Sequence, residues 1–411
     1  MIYRYTHPEF FAGWPRPDLP ALSGRIILYG AGRRGSVAAH CLKKRGIEFL
    51  CFCDSDPKKQ GTEYCGHMVI SPEELEAQYS NTAILITTNH YHYINNELRK
   101  KGFAEVFSCV SLFSEIEFEG YDMYSVEYMS RNIDQYFNTL IYDEQDASYI
   151  TQLQIPVTMR CTLRCKECNS YIPYVRKGED FDQDDIIVSV NKLLTAYDTI
   201  GNLLLYGGEP LLYKNLYQLV EKFADNPRIE KVSIVTNGTL LPDERLLAAL
   251  KNAKVLVRIS DYGELSRKKN ELKELLDVQG IHTEITDFKY WNENPTVDIL
   301  NETPEQLRAK VQNCCTIVNA MTLIKGKIFF CGFSAFYDYF KAVPDDGDNY
   351  INLLSVKESG KELKGKIDQL RQMGKDGLPK HACRFCKFNQ FADNLPVAEQ
   401  TTEILKFKKV Y

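Results

Sequence analysis

Three cysteines in one short segment are the residues best suited to chemistry. Cys161, Cys165 and Cys168 have the spacing C-x3-C-x2-C. Three thiolates in one loop can bind three irons of a [4Fe–4S] cube and leave the fourth iron open to another ligand. A structural zinc site normally has four ligands, and this loop offers three without a histidine. A zinc knuckle or three incidental cysteines therefore remain as the weaker alternatives.

A second set of cysteines lies near the end of the chain. Cys314 and Cys315 are adjacent, Cys331 follows, and Cys383 and Cys386 form a C-x2-C pair. Adjacent side chains point in different directions, so we expect only one of the first two to be a ligand, and we favour Cys315. Four thiolates would ligate a second [4Fe–4S] cluster completely. A structural zinc site, or a cluster with one ligand supplied by substrate, would use the same residues.

The chain has 13 cysteines in 411 residues, an odd number that cannot all pair in disulfides. Disulfides rarely persist in the cytosol, so metal or redox chemistry is the stronger expectation. Five of the cysteines lack metal-ligand spacing, and we predict that they are small buried apolar side chains. They are Cys41, Cys51, Cys53, Cys65 and Cys109.

Strand-like runs alternate with helical runs after residue 150. They cover residues 153–158, 202–206, 231–236, 254–260 and 280–286. This alternation predicts an open or partial β/α barrel. The loop with the first three cysteines directly follows the first strand, at the end of a parallel sheet where such architectures bind ligands.

Polar or glycine-rich groups also follow the next three strands, so we expect them to surround the same ligand as the cysteine loop. In chain order these residues are Gly207, Gly208, Glu209, Pro210, Asn237, Ser260 and Asp261.

The N-terminal part of the sequence shows a different glycine pattern. An apolar strand runs into Gly30, Gly32 and Gly35, a helix follows, and the next strand ends in Asp54. This order of strand, glycine turn, helix and acidic residue is the dinucleotide-binding fingerprint. It predicts a small parallel α/β domain of Rossmann type. The domain would bind a nucleotide or nucleotide-linked sugar, use NAD(P), or serve only as a scaffold.

Taken together, the cysteine spacing and the strand-end elements resemble the radical S-adenosylmethionine (radical SAM) enzymes over residues 151–288. The resemblance implies a partial (β/α)6 barrel with Cys161, Cys165 and Cys168 as ligands of a [4Fe–4S] cluster, whose open iron chelates S-adenosylmethionine. It implies that the GGEP element, residues 207–210, lies at the methionyl amino group, and that Asn237 and residues 260–261 lie near the carboxylate and ribose. One residue departs from the family pattern, because Glu167 occupies a position that usually carries a ring.

The family resemblance also implies the reaction. One electron from the reduced cluster cleaves S-adenosylmethionine and gives a 5′-deoxyadenosyl radical, which abstracts hydrogen from a substrate. The electron would come from a donor such as a flavodoxin or ferredoxin. The last cysteines, Cys315, Cys331, Cys383 and Cys386, resemble the ligands of the twitch module, a short relative of the SPASM domain that holds an auxiliary [4Fe–4S] cluster.

The N-terminal domain resembles the Rossmann-like domains of sugar-modifying enzymes. We therefore expect an oxidoreductase or isomerase whose small-molecule substrate is a carbohydrate or nucleotide-linked sugar in glycan or secondary metabolism. A peptide-modifying maturase is the first alternative, and a noncatalytic iron–sulfur or nucleotide-binding regulator is the second.

The predicted fold class is α/β, with the Rossmann-like sheet, the barrel and a small α+β cluster domain in succession. The expected divisions are a tail over 1–20, the Rossmann-like domain over 21–118, a helical linker over 119–150, the barrel over 151–300, the twitch-like domain over 301–395 and a tail over 396–411.

Charge and hydropathy indicate where the protein resides and which classes of partner it binds. Fifty basic and 55 acidic residues give a net charge of -5, which does not favour nucleic-acid binding. Neither an apolar run of membrane-spanning length nor an export signal is recognisable. We therefore expect a cytoplasmic protein that does not enter a membrane.

Overall fold

The computed structural model describes residues 2–4, 16–88, 91–126, 128–130, 132–134, 136–137, 149–288, 290–312, 321–345, 347, 349–371, 381–387 and 395–410. The chain divides into two compact units, Met1–Asp146 and Ala147–Tyr411. Within the described ranges no helix is both long and apolar enough to cross a membrane.

The first unit is built on a largely parallel sheet. Its described strands are ordered β4-β5-β3-β2-β6-β7, and β4 alone pairs in the antiparallel sense. The series β5-β3-β2-β6-β7 is the strand order of a doubly wound sheet. The bounds are β2 (Ile26–Tyr29), β3 (Phe49–Cys53), β4 (Glu63–Tyr64), β5 (His67–Ile70), β6 (Ala83–Ile86) and β7 (Val106–Ser108), with β1 (Ile2–Arg4) and β8 (Glu115–Glu117) as a separate pair.

Helices connect these strands, and their bounds are α1 (Arg33–Lys44), α2 (Pro72–Gln78), α3 (Tyr91–Lys100) and α4 (Val110–Phe113). Helix α2 begins with a reciprocal capping box, as its sequence predicts. Ser71 Oγ accepts from the backbone N–H of Glu74 at 3.1 Å, and the Glu74 carboxylate accepts from the N–H of Ser71 at 2.8 Å. Of the five cysteines without metal spacing, four are buried, whereas Cys65 is exposed.

The second unit contains a mixed sheet whose described strands are ordered β13-β12-β11-β10-β9-β14-β15-β16. From β9 to β13 the strands are parallel and adjacent in chain order, which is the winding of a β/α barrel. The bounds are β9 (Tyr149–Thr158), β10 (Thr199–Gly207), β11 (Ile229–Thr236), β12 (Val255–Asp261), β13 (Thr283–Asp287), β14 (Met321–Ile324), β15 (Lys327–Phe329) and β16 (Ile351–Asn352).

Helices lie between and after these strands in the chain. They are α5 (Gln183–Ala196), α6 (Leu216–Ala224), α7 (Glu244–Ala249), α8 (Lys269–Val278), α9 (Pro304–Gln312), α10 (Gly332–Tyr339), α11 (Gly360–Arg371) and α12 (His381–Phe385). Apolar side chains such as Ile234 and Val257 face helices α6 to α8. Alternate residues face the other way, where Asn202 donates to Gln152 Oε1 at 3.2 Å and Ser233 donates to Asn202 Oδ1 at 2.8 Å. One face of the sheet is therefore apolar and the other carries polar groups.

The later strands do not follow the expected layout. Strand β14 pairs in parallel with β9, at the opposite edge of the barrel from β13, and the β14–β15 hairpin continues the same sheet. The predicted hairpin turn is present, with positive φ at both Lys325 and Gly326. Because β14 covers an otherwise unpaired edge of β9, the strands expected in a separate cluster domain belong to the barrel sheet.

Candidate active site

The cysteine loop begins directly after β9. Cys165 is buried, and Cys161 and Cys168 are half-buried. Burial raises the pKa of both Cys161 and Cys165 to about 12, and the neighbouring thiols add to the rise at each of them. The thiols of this loop are therefore poorly solvated, and a thiol in such a place loses its proton only with a strong partner such as a metal.

Several N–H groups point at these sulfurs. The Leu163 backbone donates to Cys161 Sγ at 3.4 Å, the Asn237 amide lies 3.6 Å from the same sulfur, and the Gln400 amide donates to Cys165 Sγ at 3.1 Å. Burial raises the pKa of Cys168, although backbone N–H groups at 170–172 oppose that rise. Donors of this kind stabilise negatively charged sulfur, so the loop fits the thiolate ligands of an iron–sulfur cluster.

A single zinc ion and a [4Fe–4S] cube make different demands on the loop. Zinc draws its ligands to about 2.3 Å each, whereas a cube places each cysteine on a different iron. Among the described residues, no group of three histidine, cysteine or carboxylate side chains is placed to hold one metal ion.

Gly207 and Gly208 let the end of β10 touch the cysteine loop. A Cβ on Gly208 would lie 2.1 Å from the Arg160 carbonyl oxygen and 3.1 Å from the Cys161 Cβ. Gly207 has φ +136°, and a Cβ there would lie 2.3 Å from the Thr158 carbonyl oxygen. These positions therefore exclude side chains through backbone packing within the protein, irrespective of any ligand.

Glu209 connects two of the strand-end loops. Its buried carboxylate accepts from Thr236 Oγ1 at 2.8 Å, from the Asn237 N–H at 2.8 Å and from the Leu211 N–H at 3.1 Å. Pro210 begins the short 3-10 helix Pro210–Leu212 behind it. Glu209 thus holds the GGEP loop against the loop after β11. Its contact with the methionyl amino group of S-adenosylmethionine stays a prediction.

The buried carboxylate of Glu209 makes the fold sensitive to pH. Burial raises the pKa of Glu209 from 4.5 to about 7, despite its three donors. Between these pH values the folded chain binds more protons here than the unfolded chain, so stability falls as the pH rises. We expect a loss of about 1.4 kcal/mol per pH unit in this window. Denaturant unfolding at several pH values should show that the unfolding free energy of Glu209→Gln declines less steeply with pH than that of the wild type. Equal slopes in the two proteins would contradict a raised pKa for Glu209.

The remaining strand-end residues are also tied to protein groups. Asn237 donates to Thr162 Oγ1 at 3.1 Å, so it supports the cysteine loop from the end of β11. The Ser260 carbonyl accepts from Ser266 Oγ at 3.0 Å. Asp261 accepts from the Gly263 N–H at 2.9 Å and forms an ion pair with Lys269. Contact of these residues with S-adenosylmethionine stays a prediction.

Tyr262 is a site residue that sequence reasoning missed. Burial raises its pKa, and the cysteines at 168, 165 and 161 add to the rise, so its phenol is within electrostatic range of the cysteine loop. Its ring packs edge-on against Trp291, with centroids 5.4 Å apart. Glu167, which departs from the family pattern, accepts from the Asn294 N–H at 2.8 Å. The only signal in the sequence was the place of Tyr262 at the end of β12.

The second cysteine set is partly described. Cys315 and its neighbour Cys314 lie outside the described residues, so the ligand assigned there stays a prediction. Burial raises the pKa of Tyr171, and Cys386 and Cys331 add to the rise. Cys331 directly precedes α10, and the Tyr337 hydroxyl of that helix lies 3.6 Å from Cys386 Sγ. Cys383 lies in helix α12, one turn from Cys386. Three of the four predicted ligands are therefore in the same region of the second unit.

The predicted nucleotide loop of the first unit has the expected order of elements. Asp54 Oδ2 accepts from the Ala31 N–H at 2.8 Å, so one oxygen of this carboxylate is bound to the glycine loop itself. A Cβ on Gly35 would lie 2.1 Å from the Gly30 carbonyl oxygen, whereas a Cβ on Gly32 would meet nothing within 4 Å. Gly35 therefore serves close packing of the helix, and binding of a nucleotide beside Gly32 stays a prediction.

Comparison with known proteins bears on the barrel. Residues 155–260, which include the cysteine loop and the ends of strands β9 to β12, match the family described as the radical SAM superfamily. This segment is a radical SAM domain. Such a domain implies a [4Fe–4S] cluster and S-adenosylmethionine, in agreement with the prediction from the cysteine spacing. Residues 22–106 match a second family, described as C2185-like, N-terminal.

Curated relatives match the radical SAM domain. A protein named Probable GTP 3',8-cyclase from Methanocaldococcus jannaschii is 30% identical over 148 residues, covering 31% of this chain and 46% of that protein. GTP 3',8-cyclase from Moorella thermoacetica is 38% identical over 93 residues, which cover 22% of this chain and 28% of that protein. Molybdenum cofactor biosynthesis protein moc-5 from Caenorhabditis elegans is 27% identical over 173 residues, which cover 38% of this chain and 28% of that protein. The chain thus spans less than half the length of these relatives.

Similar solved structures include BtrN in complex with AdoMet and 2-DOIA, which is 18% identical with a TM-score of 0.38 and covers 62% of this chain and 98% of that chain. Native anSMEcpe with bound AdoMet is 16% identical with a TM-score of 0.36 and covers 63% of this chain and 93% of that chain.

Proposed function

We propose that this protein is an iron–sulfur-dependent radical SAM enzyme that abstracts hydrogen from a polar small molecule. The observation that carries the proposal is the cysteine loop after β9, where two thiols of the C-x3-C-x2-C set, Cys161 and Cys165, receive N–H donors from three separate segments. When bound, the cluster would supply the electron that cleaves S-adenosylmethionine.

The chain's own residues would position and shield the reacting groups. Cys161, Cys165 and Cys168 would hold the cluster, while the contact of Gly208 with the cysteine loop fixes where the end of β10 lies. Asn237 keeps the loop in place through Thr162. Tyr262 and Trp291 form an aromatic surface beside the cysteines that would exclude water.

The substrate class that we propose rests on the polar face of the sheet. Gln152, Asn202 and Ser233 form a hydrogen-bonded row on the face away from the helices. Arg258 Nε lies 3.6 Å from Glu284 Oε2 on the neighbouring strand. We propose a carbohydrate or nucleotide-linked sugar, because its hydroxyls would pair with amide, hydroxyl and charged groups. Two of the relatives are named GTP 3',8-cyclases, a name that refers to a nucleotide substrate of those proteins.

The direct test is anaerobic reconstitution with iron and sulfide, followed by reduction in the presence of S-adenosylmethionine. About eight irons per chain are expected from two cubes, together with 5′-deoxyadenosine and methionine in equal amounts. A flavodoxin or ferredoxin would serve as the electron donor. A reconstituted protein without 5′-deoxyadenosine formation would overturn the proposal.

We further propose that Cys315, Cys331, Cys383 and Cys386 hold an auxiliary [4Fe–4S] cluster, which would accept an electron from the substrate radical in an oxidation. Burial raises the pKa of Tyr206, and Cys168 and Cys331 both add to the rise, so cysteines of both sets act electrostatically on one phenol.

Loss of an auxiliary ligand should uncouple the reaction. We expect Cys386→Ala to lower iron by about four per chain and abolish product, while S-adenosylmethionine cleavage persists, because the first cube alone generates the radical. Iron content, 5′-deoxyadenosine and product should be measured together. Cys65→Ser, at an exposed thiol in the first unit, is the matched control. Unchanged iron and turnover in Cys386→Ala would contradict the second cluster.

A further inference from the structure

We propose that Gln400 is a positioning residue that makes the cluster on the cysteine loop easier to reduce. This inference rests on the proposed function. The Gln400 Nε2 group donates to Cys165 Sγ at 3.1 Å. Among the cysteines of that loop, Cys165 is the buried one. Gln400 lies in the segment that the sequence suggested was a tail, so this contact adds a residue to the site.

The C-terminal segment pairs with the cysteine loop as an extra strand would. Residues Cys165 and Gln400 form an antiparallel bridge. The Lys166 N–H donates to the Glu399 carbonyl at 2.8 Å, and the Thr401 N–H donates to the Arg164 carbonyl at 2.9 Å. The expected tail over 396–411 is therefore an ordered part of the site where it is described.

The amide of Gln400 can adopt only one orientation. Its Oε1 accepts from the Arg164 N–H at 2.8 Å, and its Nε2 donates to the Ala398 carbonyl at 2.7 Å as well as to the sulfur. A flipped amide would place a donor against the Arg164 N–H and an acceptor against the Ala398 carbonyl. The network of backbone partners therefore fixes an N–H group toward Cys165.

The residues after Gln400 anchor the segment independently of that side chain. The Leu405 N–H donates to the Pro173 carbonyl at 2.9 Å. The Phe407 ring stacks on Tyr174, with centroids 4.3 Å apart. A change at Gln400 should therefore remove the contact with sulfur without detaching the segment.

An N–H donor to a ligand sulfur favours the reduced state of a cluster. Reduction adds negative charge that spreads onto the cysteine sulfurs, and a donor stabilises that charge. In a buried place the effect is larger because water does not screen it. Gln400 thus acts through Cys165 by setting the ease of the electron transfer that starts the reaction.

The test compares the midpoint potentials of Gln400→Ala, Gln400→Glu and the wild type in the reconstituted full-length protein. The reduced cluster is followed by EPR, using the signal that changes when S-adenosylmethionine is added, which separates it from a second cluster. At one fixed potential, Gln400→Ala should have about a tenfold lower ratio of reduced to oxidised cluster, equivalent to about 59 mV. Gln400→Glu retains an acceptor for the Arg164 N–H but adds negative charge, so its shift should be larger.

Thr401→Ala is the matched control, because Thr401 lies in the same segment, its side chain is uncharged, and its Oγ1 accepts from the Glu403 N–H at 3.1 Å rather than contacting a cysteine. Its potential should equal that of the wild type. Full iron with an unshifted potential in both Gln400 variants would overturn the inference and leave the proposed function intact. Iron loss in both variants would also overturn it, because Gln400 would then be needed for assembly. Absence of the responsive signal from the wild type would defeat the proposed function itself.

Discussion

Alanine at Cys161, Cys165 and Cys168 together should abolish formation of 5′-deoxyadenosine and remove about four irons per chain. The three thiols are the only protein ligands proposed for this cluster, so their loss leaves no site for S-adenosylmethionine. The measurement is iron content and product analysis after anaerobic reconstitution. About half of the wild-type iron should remain, held by the second cysteine set.

Cys65→Ser again provides a control, because this thiol is exposed and lies in the first unit. It should retain all iron and the wild-type rate of S-adenosylmethionine cleavage. If the triple variant still produced 5′-deoxyadenosine, the assignment of the cluster to this loop would be wrong. If it lost all iron instead of half, the two cysteine sets would not assemble independently.

Gly208→Ala should lower both the unfolding free energy and the amount of cluster bound, although it adds only one methyl group. That methyl carbon would lie 2.1 Å from the Arg160 carbonyl oxygen, so either the end of β10 or the cysteine loop would have to move. Because the obstacle is backbone, the clash cannot be relieved by a side-chain rotation. We expect a loss of about 3 kcal/mol in unfolding free energy. Iron content at the first cluster should fall with it.

Gly365→Ala is the matched glycine control. Gly365 is exposed in α11, and a Cβ there would meet nothing within 4 Å. Alanine favours a helix interior, so this variant should be more stable by up to about 1 kcal/mol and load iron normally. Denaturant unfolding and iron analysis of both variants check the pair. Wild-type stability with full iron in Gly208→Ala would show that the close approach at Gly208 can be relieved cheaply.

The sequence by itself determined the features that depend on neighbouring residues. The alternation of strands and helices, the capping box at Ser71 and the hairpin turn at Gly326 all follow from local patterns. The cysteine spacing indicated the cluster for the same reason, since its three ligands lie in one loop. The glycine turn before α1 is another local pattern, although its helix begins at Arg33, three residues before the expected start at Ser36.

Only the tertiary structure decided which groups meet across the chain. Strand β14 pairs with β9 because that edge was open, a choice that the hydrophobicity of either strand does not encode. The Glu209 carboxylate accepts from the loop after β11, a contact between segments that are remote along the chain. Gln400 lies far along the chain from Cys165, and no periodicity connects them. Such contacts depend on how remote segments pack, so a pattern of neighbouring residues cannot specify them.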